Sequence, residues 1–211
     1  MGEKHNNKGF WDHYAGLYDF EINRFSGKAY EKMYRLMADV LTSDMDILEV
    51  ATGTGLIAVN IAAHVNHIEA IDFSPKMIEK AKMKKAPGNI HFSVGDATEL
   101  AFEDNSFDAV IISNALHIMP EPAKILFDIS QVLKPNGLLI APTYSHGHLR
   151  ESTRNLTAKI LKFIGFETYS KWTPEEYISF IGQNGFQVER WQVLSAAFPL
   201  VYLEARKIGK G

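Results

Sequence analysis

Glu49, Asp72 and Asp96 each stand at the end of a short apolar run, and the first is followed by Ala51-Thr52-Gly53-Thr54-Gly55. Small residues at 51, 53 and 55 let a chain turn tightly and let a ligand touch its backbone. Gly53, Gly55 and Ala58 also satisfy the dinucleotide fingerprint G-x-G-x-x-A, which admits a nicotinamide cofactor. The charges separate the two readings. A carboxylate at Glu49, two residues before the first small residue, repels a pyrophosphate and suits a ligand with an ammonium and no phosphate. Asp72, 17 residues after Gly55, stands where a carboxylate meets the two hydroxyls of a ribose. Gly95-Asp96-Ala97 offers a side-chain acceptor to the amino hydrogens of an adenine.

These residues act together only if the fold gathers them. Ile47 to Val50, His67 to Ile71, Ile90 to Val94, Phe107 to Ser113 and Leu138 to Ala141 read as strands. The fourth is nearly continuous in apolar residues, as expected when both faces are covered. A helix pattern runs from Leu56 to Ala63. Ser74-Pro75 opens another helix, with Ser as N-cap and Pro at the first helical position. Glu121 to Leu133 is helical and stops at the turn signal Lys134-Pro135-Asn136-Gly137. Strands alternating with helices predict an α/β fold with a doubly wound, mostly parallel sheet and helices on both faces. The chain ends differently. Thr173-Pro174-Glu175-Glu176 predicts a capping box and a helix ending near Gly182 or Gly185. The runs Phe186 to Leu194 and Leu200 to Ala205 are joined too closely for a parallel crossover, so they predict an antiparallel pair. The expected sheet has seven strands in a single domain over 1–211.

Residues 1–9 read as a loose tail. Residues 10–41 predict a cap of two helices, with Trp11, Tyr14, Leu17 and Tyr18 on one face of the first and Met33, Leu36, Met37 and Val40 on one face of the second. Residues 143–185 predict a helical insertion, with Leu156, Ile160, Leu161 and Ile164 on an apolar side. Composition sets outer bounds. Apolar residues are 46% and charged residues 22% of the chain, as in ordinary globular proteins. Zero cysteines exclude disulfides and thiolate chemistry and suit a cytoplasmic home. No apolar run is long enough to span a membrane. A net charge of −3 argues against a general nucleic-acid binder. Lys76, Lys80, Lys82, Lys84 and Lys85 read as the solvated face and C-terminal end of a helix.

The segments I-L-E-V-A-T-G-T-G, E-A-I-D-F-S-P-K-M, V-G-D-A-T-E-L, F-D-A-V-I-I-S-N-A-L-H-I-M and L-K-P-N-G-L-L-I, in this order, resemble the class I S-adenosylmethionine-dependent methyltransferases. The resemblance covers about Ile47 to Ala141. Where that family usually begins its first loop with glycine, this chain has Ala51, and ordinary backbone angles are expected there. The resemblance implies S-adenosylmethionine as cofactor, with no metal. It implies that Glu49 and the backbone of Ala51 and Gly53 hold the methionine part, with Thr52 and Gly55 of the same loop also binding the cofactor and Tyr14 and Tyr18 closing over its carboxylate. It implies that Asp72 grips the ribose, Phe73 and Met77 wall the adenine, and Gly95, Asp96 and Ala97 meet its edge. Ser113, Asn114 and Leu116 would face the reactive centre.

Methyl transfer from a sulfonium needs alignment more than acid-base chemistry, and a general base only if the acceptor loses a proton. His117 is the candidate base, since its ordinary pKa suits work near neutrality. Tyr144, His146 and His148 could line the acceptor pocket, and H-G-H spacing could also hold a metal, though no third ligand is evident. His64 and His67 read as structural. The acceptor pocket is expected between the N-terminal helices (Phe10, Trp11, Tyr14, Phe25, Tyr30) and the insertion (Phe163, Phe166, Tyr169, Trp172). Those aromatics suit a small acceptor that is partly apolar or cationic. No motif for nucleobase or amide methylation follows the fourth strand. The expected protein is a monomer or homodimer acting on a small molecule. A nicotinamide oxidoreductase and a non-catalytic cofactor-binding protein remain the alternatives.

Overall fold

A computed structural model describes residues 8–145, 168–196 and 199–209. Eight strands form one sheet: β1 (Asp46–Val50), β2 (His67–Asp72), β3 (Ile90–Val94), β4 (Phe107–Ile112), β5 (Leu133–Ile140), β6 (Thr143–Tyr144), β7 (Phe186–Leu194) and β8 (Leu200–Lys207). The main path runs β3-β2-β1-β4-β5-β8, and both β6 and β7 pair with β8. The first five strands are parallel, while every pairing of β8 is antiparallel. The expected architecture is present, with the two-residue β6 as an eighth strand.

Alternation along the strands divides the core. Ile47, Ala109 and Ile111 pack with Met33, Met37, Ile57 and Ile61. Leu48, Val110 and Ile112 pack with Leu126, Ile129, Tyr177 and Ile181. These partners belong to helices α2 (Tyr18–Val40), α3 (Leu56–Ile61), α5 (Pro122–Val132) and α6 (Pro174–Gln183), so helices cover both faces. Helix α4 (Pro75–Lys82) begins as expected: Met77 N–H donates to the Ser74 hydroxyl, and Pro75 occupies the first turn. The Thr173–Glu176 capping box is complete, with both reciprocal hydrogen bonds. No helix among the described residues is long and apolar enough to cross a membrane.

Three expectations need correction. The first helix, α1 (Lys8–Tyr14), stops before Leu17, which is 57% exposed rather than part of an apolar face. Leu17 N–H closes a turn on the Tyr14 carbonyl at 2.9 Å, and Gly16 weakens any continuation of the helix. Second, Lys134-Pro135-Asn136-Gly137 does not separate helix from strand. It lies inside β5, where pairing jumps from Phe107↔Leu133 to Ala109↔Leu138. The extra residues bulge out, with Asn136 at φ 59°. Third, Ala51 has φ 55°, a left-handed conformation instead of the ordinary angles expected. The amphipathic stretch at 156–164, with His146, His148, Phe163 and Phe166, lies outside the described residues.

Candidate functional site

Strand order reverses between β1 and β4, and a crevice opens at the carboxyl ends of the strands there. This cleft encloses about 950 Å3 of space continuous with solvent. Its floor is the β1 loop. Thr52 N–H donates to the Ile71 carbonyl at 2.9 Å, and Gly55 N–H donates to the Thr52 carbonyl at 3.0 Å. These bonds close a turn with positive φ at Ala51, Gly53 and Gly55. Gly55 also has no room for a side chain, because a Cβ there would sit 2.7 Å from the Phe92 ring.

Asp72 is the central charge. It is 5% exposed and lines the cleft. Its Oδ2 accepts from Gly53 N–H at 2.8 Å and its Oδ1 from Ser74 N–H at 2.9 Å. Burial is the largest influence on its pKa and carries it up to about 6, against the lowering effect of the two N–H groups. A carboxylate offers about four lone-pair sites, so two remain for hydroxyl donors. Asp96, whose Oδ1 accepts from Thr98 N–H and hydroxyl, also lines the cleft. Among the described lining residues there is no Lys, Arg or His. A diphosphate would find two acids and no cation there, whereas a nucleoside bearing hydroxyls and a positive charge fits that donor set. S-adenosylmethionine is such a molecule.

The other expected residues divide. Tyr18, Ala51, Gly53, Phe73, Met77, Gly95, Ala97, Ser113 and Asn114 line the cleft. Glu49, Tyr14, Thr52, Gly55, Leu116 and His117 do not. Glu49 is buried behind the loop, where its Oε2 accepts from Ala58 N–H at 3.0 Å in the first turn of α3. Burial pushes its pKa up to about 8, so the free protein holds it mostly protonated at neutrality. Its expected carboxylate charge is therefore mostly suppressed. Thr52 and Leu116 are buried. Tyr14 stacks on Phe10 at 5.4 Å and meets Trp11 and Tyr18 edge-on at about 6.0 Å. His117 is buried, its Nδ1 lies 3.0 Å from the Thr143 hydroxyl, and its carbonyl accepts from Tyr169 and Ser170 N–H.

Trp11, Thr98, Ala115, Ile118, Met119, Pro120 and Tyr169 complete the lining. Of these, the sequence had singled out only Trp11 and Tyr169. The rest sit after β3 or in and around a 3-10 turn at Leu116–Ile118, and no periodicity marks such positions. Tyr144 and Trp172, expected near the acceptor, do not line the cleft. Tyr144 packs against the α2-side core, and Trp172 stacks on Phe180 at 4.7 Å. Tyr30 is core, with its hydroxyl accepting from Asn114 Nδ2 at 2.9 Å.

The roof is tied to the floor twice. Ser74 Oγ donates to Asp12 of α1. Thr54 Oγ1 donates to Asp19 near the start of α2, and Lys84 Nζ bridges Asp19 Oδ2 at 2.6 Å and the Thr54 carbonyl at 2.7 Å.

Sheet order, antiparallel end and acidic cleft together define the class I S-adenosylmethionine-dependent methyltransferases, and this chain belongs to that family. A methyltransferase domain is matched over residues 48–141. The chain is 30% identical over 194 residues to the ubiquinone/menaquinone biosynthesis C-methyltransferase UbiE of Geotalea daltonii, covering 84% of this chain and 82% of that protein. It is 41% identical over 154 residues to the demethylmenaquinone methyltransferase of Clavibacter sepedonicus, covering 72% of this chain and 59% of that protein. The first relatives are thus spanned over less than two thirds of their length. A solved complex of a methyltransferase with the Haloferax volcanii Trm112 activator shares the fold at TM-score 0.82 and 16% identity, over 97% of this chain and 98% of that one.

Proposed function

We propose that this protein transfers a methyl group from S-adenosylmethionine to a small aromatic acceptor, a quinol-type ring methylated at carbon. The observation that carries the reading is Asp72: a buried carboxylate with two backbone donors and spare acceptor sites, in a cleft with no cation among its described lining residues. The names of the relatives support the quinol. So does the wall of Trp11, Ile118, Met119, Pro120 and Tyr169, which suits a flat apolar ring.

When bound, S-adenosylmethionine supplies a methyl group already activated by its sulfonium. The chain's own residues then bind and align. Asp72 holds the ribose hydroxyls, Asp96 and Ala97 meet the adenine edge, and Phe73 and Met77 wall it. The Ala51–Gly53 backbone and Tyr18 take the methionine part, with Tyr14 supporting Tyr18 through ring contact. Glu49 acts from behind the loop and the buried Thr52 from within it, Gly55 and Gly95 give close approach, and Ser113 and Asn114 face the reactive centre, followed by the buried Leu116. Burial raises the Tyr18 pKa, so this phenol stays protonated and acts as a donor. A ring carbon that gains a methyl loses a proton, and His117 is the group assigned to receive it; because it sits behind the cleft wall against Thr143, it takes that proton through a group that lines the cleft. Residues 10–41 form the cap, and the 143–185 segment contributes Tyr169 to the acceptor wall. The chain works as one domain, in the cytoplasm, as a monomer or homodimer and without nucleic acid.

The test is transfer of labelled methyl from S-adenosylmethionine to a demethylated naphthoquinol, set against a catechol and an alkyl amine. Carbon-bound label in the naphthoquinol is the expected result. Label in the amine alone, or calorimetry showing NAD bound and S-adenosylhomocysteine ignored, would overturn the reading.

A further inference from the structure

Apart from Lys84, which ties Asp19 to the Thr54 carbonyl, the lysine cluster plays no part in the cleft. Five of the ten residues from Lys76 to Lys85 are lysine, with Glu79 as the one acid among them, in a chain whose net charge is −3. Lys84 is committed to Asp19 and the Thr54 carbonyl. Lys76, Lys80, Lys82 and Lys85 are exposed and make no ion pair with any described residue. The Lys84–Asp19 bridge sets the C-terminal end of α4 against the start of α2. At that junction three large apolar side chains face water: Met83 is 70% exposed, Phe20 67% and Leu17 57%.

We propose that this rim, the end of α4 with the α1–α2 junction, docks on the surface of an anionic phospholipid bilayer. Charge complementarity selects the partner. Cations alone would suit any polyanion, but a nucleic-acid backbone gains little from Leu17, Phe20 and Met83. A bilayer interface takes both, with lysines at the headgroups and apolar side chains at the acyl boundary. Tyr18, which lines the cleft, directly follows Leu17, so the docked face adjoins the cleft mouth. The inference goes beyond the methyl-transfer reading and does not depend on it.

The experiment is co-sedimentation of the full chain with sucrose-loaded vesicles, either pure phosphatidylcholine or with about one third phosphatidylglycerol, at low and high salt. Binding to the anionic vesicles alone, weakened by salt, is expected. Each lysine near such a surface strengthens binding about fivefold. A Lys80→Gln/Lys82→Gln/Lys85→Gln variant should therefore bind about a hundredfold more weakly. Phe20→Ser/Met83→Ser should weaken binding at low salt, where electrostatics remain. All these positions are exposed, so circular dichroism should show an intact fold. Equal binding to both vesicle types, no binding to either, or undiminished binding by the lysine variant overturns the proposal. A concentration-dependent dimer that Phe20→Ser/Met83→Ser dissolves, without vesicle binding, would overturn it in favour of a second copy of the chain.

Discussion

Replacing Glu49 by Gln should make the protein more resistant to unfolding at high pH and barely change it at low pH. The side chain is 2% exposed, and burial carries its pKa from the ordinary 4.5 to about 8. A folded-state value above the unfolded one means that the charged form is penalised in the fold. Below about pH 4.5 the acid is protonated in both states and no penalty exists; above about pH 8 it is complete. A displacement of roughly 3.5 pH units, at about 1.4 kcal/mol each, amounts to about 5 kcal/mol at most. Between pH 5 and pH 9 the wild type should lose roughly 4 kcal/mol relative to the Gln variant. Glutamine keeps an oxygen to accept from Ala58 N–H, and any fixed packing cost cancels between the two pH values. Asp72, carried up to about 6, titrates in both proteins. Its repulsion of Glu49 is already contained in the raised Glu49 value and adds nothing further to the difference. Urea unfolding of both proteins at pH 5, 7 and 9 measures it. Stability curves that stay parallel within about 1 kcal/mol would show that Glu49 is ionised without penalty, and the account of the loop would fail.

Other perturbations reach the same cleft from different sides. Asp72→Ala should weaken S-adenosylhomocysteine binding about a hundredfold, since two hydrogen bonds to a charged acceptor are lost; calorimetry showing a change under about threefold in a folded variant removes the ribose assignment. Gly55→Ala should cost about 2–4 kcal/mol, from left-handed strain and from overlap with the Phe92 ring, read as a lower urea midpoint. His117→Asn should leave cofactor affinity intact while turnover falls by about a hundredfold, and full turnover would end its role as base.

Much of the fold could be read because local chemistry and long-range packing agreed. Ser74-Pro75 and Thr173–Glu176 carry their own caps, and the short link between β7 and β8 leaves only an antiparallel solution. The failures fall where tertiary contacts decide. Trp11, Tyr14, Leu17 and Tyr18 satisfy a helical period, yet the chain breaks at Gly16 so that α1 can reach α4 and α2 the β1 loop. The Pro135-Asn136-Gly137 signal marks a bulge within a strand, which resembles a turn because both need the same backbone angles. Asp72 and Asp96 line the cleft, but Glu49 lies behind the loop and burial raises its pKa. Whether Glu49 faces ligand or lies under the loop depends on side-chain packing that no spacing encodes. Ile118, Met119 and Pro120 enter the cleft through a 3-10 turn too short to leave a period.

The two ties between roof and floor have an implication for the order of events. Asp12 grips Ser74, the second residue after Asp72, and Asp19 grips Thr54, next to Gly53. A nucleoside settling on Asp72 and Gly53 therefore steadies the very anchors on which Trp11 and Tyr18 hang. The wall stands on these ties, so donor bound beneath it is expected to firm the acceptor's seat and to leave last. Steady-state product inhibition should show this compulsory sequence, with S-adenosylhomocysteine competing against S-adenosylmethionine alone; competition against the acceptor as well would mean the roof seats itself unaided.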